Sequence, residues 1–217
     1  MKSAKSLRPI ILQKIRELKK TVYFNMLKVK YRIRGRPKSQ GETLKAKPRR
    51  IREGFFEKYC NGSGLDIGFG GDLLTGNCKG WDIEHGDAQY LEKIGDLEFD
   101  FVHSSHTLEH MINPEISLRN WWRVLKRGGY LILYVPDRNL YEKKTTLPSR
   151  WNTDHKHFFL LDKDDEPCTI GIVPLIRRSI SDFEIVYAKE CSDGHTITIP
   201  QIHSDGEYSI EVVVKKS

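Results

Sequence analysis

The sequence predicts an α/β domain built on a mostly parallel sheet covered on both faces, and three observations predict it. From residue 51 onward, apolar runs of strand length alternate with helical segments. One of these runs, YLILYV at residues 130–135, is apolar throughout and bounded by Gly and Pro, the pattern of a strand buried on both faces. A glycine cluster at Gly68, Gly70 and Gly71 follows the short apolar strand at residues 65–67, where a first strand would meet its first helix.

Taken in order, residues 51–59 read as a short helix and Asn61-Gly62-Ser63-Gly64 as a turn. After the first strand, Gly80-Trp81 reads as the tip of a second strand ending at Asp82. Residues 99–103 are a third apolar run, followed by a Ser-Ser turn and a helix. Pro114 suits the first turn of another helix, which carries Ile116, Leu118, Trp122 and Leu125 to a stop at Gly128-Gly129. Residues 183–188 and 208–214 supply two further strands. Nine residues separate Gly71 from Trp81 and sixteen separate Asp82 from Phe99. That is cramped for two helices and a strand, so a second helix or a third strand is expected to be missing.

The chain of 217 residues is long enough for one substantial core with an appendage. Its net charge of +7 is unevenly spread. Residues 1–52 hold 18 Lys and Arg against Glu17 and Glu42, while residues 53–217 hold 18 basic against 27 acidic residues. Within the basic part, Leu7, Ile11, Ile15, Leu18, Val22, Met26, Val29 and Ile33 recur at helical spacing, with Lys and Arg on the other faces. Such a helix packs on the domain, lies on an anionic membrane surface or binds nucleic acid; the long aliphatic stripe fits the first two better. The Gly-, Pro- and Lys-rich stretch at residues 35–48 reads as a linker. The expected division is therefore a basic amphipathic helix and linker over residues 1–50 and one domain over residues 51–217. No run approaches the ~20 apolar residues of a membrane span, and the N-terminus lacks the pattern of a secretory signal. Cys60, Cys78, Cys168 and Cys191 show no paired spacing. The expectation is a cytoplasmic protein, with peripheral contact to the inner membrane through residues 1–34.

Three blocks then resemble a known family in its own order. Asp66-Ile67-Gly68-Phe69-Gly70-Gly71 resembles the first motif of class I S-adenosylmethionine-dependent methyltransferases. The segment FDFVHSSHTLEH at residues 99–110 resembles their FDxVxSxxxLEH segment, and RVLKRGG at residues 123–129 resembles their RxLKPGG turn. The resemblance implies a Rossmann-like sheet of seven strands, mostly parallel, whose last strand is antiparallel. It implies S-adenosylmethionine as cofactor, with Asp66, Gly68 and Gly70 at its methionine end, Asp82 on the ribose hydroxyls, Asp87-Ala88 at the adenine and Ser104 beside it. Phe69 departs from the small residue or cysteine common there, and Arg127 from the usual proline.

Transfer of a methyl group to a hydroxyl requires the hydroxyl proton to leave, which a nearby histidine can accept at neutral pH. His106 and His155 are the candidates; His157 reads as a structural histidine. His106, Glu109 and His110 also fall at i, i+3 and i+4, on one face of a helix. Ubiquinone-pathway and small-RNA O-methyltransferases place metal ligands at similar spacing, with Glu where His106 stands, and the RNA enzymes add a histidine from a segment resembling residues 154–158. A divalent metal is thus conceivable, but a histidine in place of an oxygen ligand makes metal-independent activity the favoured expectation. The chain further resembles methyltransferases associated with bacterial polysaccharide synthesis, which implies an O-methyltransferase acting on a sugar hydroxyl of a glycan or its precursor. The alternatives are an RNA 2′-O-methyltransferase, or a non-catalytic binding module with the same fold.

Overall fold

A computed structural model describes residues 41–217. The basic stripe over residues 1–34 lies outside the described residues, so the division at residue 50 stands as an expectation. Two helices open the described chain, α1 (Glu42–Arg52) and α2 (Phe55–Tyr59). They break at Gly54, whose φ of +61° is left-handed backbone. Residues 42–48, read from sequence as linker, are thus helical, and Pro48 lies inside α1.

The sheet contains β1 (Gly64–Ile67), β2 (Cys78–Trp81), β3 (Phe99–Ser105), β4 (Leu125–Pro136), β7 (Phe183–Cys191) and β8 (Ser209–Lys216), with α3 (Pro114–Arg123) between β3 and β4. Its order is β2-β1-β3-β4-β8-β7. The first four strands run parallel, and β8 is antiparallel to both β4 and β7. Six strands stand where seven were expected. The missing one falls between β2 and β3, where the seventeen-residue connection, 82–98, holds turns only. The helix expected after the glycine cluster is absent too. Ten residues, 68–77, join β1 to β2 without one, fewer than a crossover carrying a helix needs (about a dozen or more).

A smaller pair, β5 (Phe158–Leu160) and β6 (Thr169–Gly171), leads into α4 (Ile172–Ser179). Neither the pair nor α4 was foreseen. The predicted stop of α3 at Gly128-Gly129 is also corrected. Its N-cap is Asn113, whose side chain accepts from the Ile116 amide, but the helix ends at Arg123 and β4 runs through both glycines.

Alternation along β4 divides the core. Leu131, Leu133 and Val135 join a cluster with Leu118 and Trp121 of α3 and Leu175 and Ile176 of α4. Ile132 packs with Phe55 of α2, and Tyr134 with Ala46 of α1. Both faces are covered, as the continuous apolar run predicted. β1, β3 and β4 run parallel, so their C-terminal ends lie at one edge of the sheet, the usual ligand position in an open α/β sheet.

Candidate active site

The glycine turn opens directly from β1. Gly68 has φ of +75°, its amide donates to the Trp81 carbonyl at 2.7 Å, and a Cβ there would overlap the Thr107 side chain. Only glycine satisfies both constraints. Thr107 ties the turn to the end of β3 by donating to the carbonyls of Ile67 (3.2 Å) and Ser105 (3.0 Å). Gly80 on β2 explains the unusual Phe69, because the Phe69 ring fills the space a Cβ at Gly80 would need.

The structure brings Asp66, Gly68, Gly70, Asp82 and Ser104 to one end of the sheet. Asp66 is buried, with Oδ1 2.6 Å from His103 Nδ1 and Oδ2 accepting from the Leu74 amide at 2.7 Å. It anchors the loop that leaves the turn. Asp82 accepts from the Gly70 amide at 3.1 Å and the Ile83 amide at 2.7 Å. Ser104 pairs in register with Ile67, and its buried Oγ has no hydrogen-bond partner. Asp87 accepts from the Gln89 amide at 2.8 Å and so starts a turn, while the Ala88 carbonyl accepts from Trp121 Nε1 at 2.8 Å. Next to them, a Cβ at Gly86 would meet the Trp81 ring at the end of β2. The open glycine cradle and the orphaned Ser104 hydroxyl fit a ligand that brings its own polar groups.

His106 is the first residue beyond β3 and has φ of +48°. Left-handed backbone costs a non-glycine residue about 1–2 kcal/mol. Its amide donates to the Tyr134 carbonyl (2.8 Å), and its Nε2 lies 2.8 Å from Ser209 Oγ. The helix expected here is a single 3-10 turn, Leu108–His110, and His106 stands outside it. Burial holds the His106 imidazole well below the ordinary histidine pKa, and nearby His155, Lys45 and His110 lower it further. His106 is therefore a neutral base at pH 7.

His155 is brought to the same place. It is buried, its Nδ1 lies 2.7 Å from Glu142 Oε1, and its Nε2 faces Glu109. Glu142 ends a π-helical turn, Arg138–Glu142, capped by Asp137. An aromatic series leads outward from His106. Its ring lies 5.8 Å from Tyr208, Tyr208 lies 4.8 Å from Tyr141, Tyr141 lies 5.4 Å from His203 and His203 lies 5.2 Å from Trp151. Sequence reasoning missed Tyr141, Trp151, His203 and Tyr208, since lone aromatics in irregular segments carry no periodicity.

A family model for a methyltransferase domain matches residues 65–133, from the first strand through β4. Curated proteins give no match. Among solved structures, an S-adenosylmethionine-dependent methyltransferase from Archaeoglobus fulgidus is 17% identical over 89% of this chain and 100% of its own, with a TM-score of 0.51. A structure from work on the conversion of a disulfide bond into a thioacetal group during echinomycin biosynthesis is 14% identical over 79% of this chain and 81% of its own, at 0.50. An S-adenosylmethionine-dependent methyltransferase from Thermotoga maritima is 18% identical over 72% and 83%, at 0.45. The match shows that residues 65–133 form a methyltransferase domain, and the chain is an enzyme. The sheet of the Archaeoglobus protein gives the same fold.

Proposed function

We propose that the protein methylates a sugar hydroxyl of a glycan or glycan precursor. The observation that carries this reading is His106, a neutral imidazole held in left-handed backbone at the end of β3, beside the aromatic series. When bound, S-adenosylmethionine supplies a methyl group on a positively charged sulfur. Gly68 and Gly70 would let the backbone approach it, Asp66 would hold the turn at its methionine end, Asp82 would take its ribose hydroxyls, Asp87 and Ala88 would border its adenine and Ser104 would offer an unpaired hydroxyl. His106 takes the acceptor proton. With Nε2–H given to Ser209 Oγ, the open lone pair is at Nδ1. His155, locked to Glu142, positions the acceptor side of the site. Of the aromatic series, Tyr208 and Tyr141 are buried and half-buried Trp151 offers the ring on which the C–H face of a pyranose packs.

His106→Asn tests the reading, since asparagine also tolerates left-handed backbone. The variant should lower kcat by about 10²–10⁴-fold with little change in affinity for S-adenosylmethionine. Because the pKa of His106 is depressed, the base form is already present at acidic pH. The wild-type profile of kcat should be flat through the ordinary histidine pKa, about 6.5, and fall only below it. An inflection at that value, or a His106→Asn enzyme of wild-type kcat, contradicts the assignment.

Residues 1–34 carry 11 Lys and Arg against Glu17 alone, which motivates proposed contact with an anionic membrane surface. Each basic residue near such a surface contributes about 1 kcal/mol. Among the described residues no helix is long and apolar enough to cross a membrane. Deleting residues 1–34 should leave S-adenosylmethionine binding intact and abolish sedimentation with anionic vesicles. A truncated protein that still sediments refutes the membrane role.

A further inference from the structure

Glu109 sits in surroundings that methyl transfer does not by itself require. Its carboxylate is fully buried, and neither Oε1 nor Oε2 has a hydrogen-bond partner. An ionised carboxylate is rarely left so, because burial without a partner forfeits its hydration. Three imidazole nitrogens approach Oε1, His106 Nδ1 at 3.7 Å, His155 Nε2 at 3.9 Å and His110 Nε2 at 4.0 Å, all beyond hydrogen-bond reach.

In the His155 and His110 rings the other nitrogen is already committed. His155 Nδ1 lies 2.7 Å from Glu142 Oε1, and His110 Nδ1 lies 3.0 Å from Asp154 Oδ2. A carboxylate at Nδ1 holds the proton there and leaves Nε2 with its lone pair, the arrangement found behind metal-bound histidines. Two nitrogen lone pairs and an unpartnered carboxylate oxygen thus converge on one small space. The Lys156 amide donates to the Glu109 carbonyl at 2.8 Å, which pins the two contributing segments together.

We propose that Glu109, His110 and His155 bind a divalent metal ion whose open coordination position receives the acceptor hydroxyl. One donor atom from each lies within 4.8 Å of the others. A tetrahedral ion with bonds of about 2.0–2.2 Å needs donors about 3.4 Å apart, so the site closes by small side-chain movements. Two imidazoles and one carboxylate suit Zn²⁺ or Mn²⁺ better than Mg²⁺, which prefers an all-oxygen shell. Three protein ligands leave a position open, as in catalytic rather than structural sites. The sequence favoured metal independence because His106 stood at an expected ligand position. In the structure the third ligand is His155, and His106, with Nδ1 3.7 Å from Glu109 Oε1, stays available as the base.

The role given to the ion rests on the O-methyltransferase reading; the binding of the ion does not. In that role it lowers the pKa of the bound hydroxyl. The proton passes to His106, the oxygen–methyl bond forms, and the methyl–sulfur bond breaks with its electron pair leaving on sulfur.

The test takes the full chain stripped by chelator and dialysis, then titrated separately with Zn²⁺, Mn²⁺ and Mg²⁺ by calorimetry. One equivalent of Zn²⁺ or Mn²⁺ should bind more tightly than Mg²⁺. Glu109→Gln and His155→Ala should weaken binding by more than about 100-fold, and Glu142→Gln, behind the ligand, by about 10–100-fold. Affinity for S-adenosylmethionine, measured on each variant, reports that the fold persists. Where a variant does not fold, Co²⁺ added to the wild-type protein reads the site directly, through the visible absorption of a low-coordinate nitrogen–oxygen shell. Stripped wild-type protein that binds none of the ions, shows no such absorption, or binds them equally well as Glu109→Gln overturns the proposal, and the cluster is then charge-balanced by protons alone. Methyl transfer to a saccharide that survives EDTA also refutes the ion's role without touching the saccharide reading. Stoichiometric metal binding with no saccharide methylated supports the site and sinks the saccharide reading instead.

Discussion

Gly68→Arg should reduce affinity for S-adenosylmethionine by at least about 100-fold, or about 2.7 kcal/mol. Two constraints meet at this position. Its φ of +75° disfavours any side chain, and even a Cβ would overlap Thr107 at the end of β3. An arginine there must either push β1 and β3 apart or turn into the cradle that the glycines leave open. Titration calorimetry measures the loss, and a circular dichroism melt separates it from unfolding. Gly71→Ala is the control, because a Cβ at Gly71 meets nothing within 4 Å. It retains the φ penalty alone and should bind far better than Gly68→Arg. A Gly68→Arg protein of wild-type affinity would remove the glycine turn from the cofactor site.

Glu211→Ala should destabilise the domain by about 3–5 kcal/mol, the cost of breaking a buried ion pair by removing one partner. Glu211 on β8 is fully buried and bridges two arginines of α1. Its Oε2 lies 2.6 Å from Arg49 Nη2 and its Oε1 2.6 Å from Arg50 Nη2. Arg49 also meets Glu207 at 2.9 Å, and the Tyr134 hydroxyl donates to Glu207 at 2.9 Å. Arg50 continues to His103 at 3.4 Å, and His103 to Asp66 at 2.6 Å. The network runs from α1 through the sheet to the residue that anchors the glycine loop. Removing Glu211 leaves the buried Arg50 without the carboxylate that raises its pKa, while a guanidinium stays charged at any working pH. The melting temperature should fall on the order of 10 °C for a domain of this size. Glu98→Ala, which breaks the exposed Lys79–Glu98 pair at 3.8 Å and removes an exposed acceptor of the Gly95 amide, should change stability by less than about 1 kcal/mol. Equal effects from the two substitutions would mean that the buried network contributes nothing special.

Arg49 and Arg50 show where composition misleads. Both were counted in the basic arm, as part of the excess that pointed to a membrane or nucleic acid, yet they are core residues. Charge tallies carry no information about burial, and the Glu partners lie about 160 positions along the chain. The parallel sheet was legible because residues 130–135 of β4 are apolar throughout, whereas the antiparallel last strand was implied only by the family resemblance. The missing strand was legible as spacing. The absent helix after the glycine turn was less so, because a strand–glycine junction usually opens a helix, and only the ten-residue length of the connection spoke against it. At the site, His106, Glu109 and His110 were legible as a cluster, though for a helical reason that proved incorrect. The 3-10 turn and the left-handed His106 bring them together instead. The pairing of His155 with Glu142 was invisible, since it depends on a π-helical turn that leaves no periodic trace.

The central claim is methyl transfer from S-adenosylmethionine to a sugar oxygen. It is tested most directly by incubating the full-length protein, supplied with Zn²⁺ or Mn²⁺, with methyl-labelled S-adenosylmethionine and a panel of saccharides, nucleosides and RNA oligonucleotides. Products are then located by fragmentation mass spectrometry. The account predicts label on a saccharide hydroxyl, lost with His106→Asn. Label on RNA ribose or on nitrogen, or cofactor that binds and is never turned over with any acceptor, would contradict it.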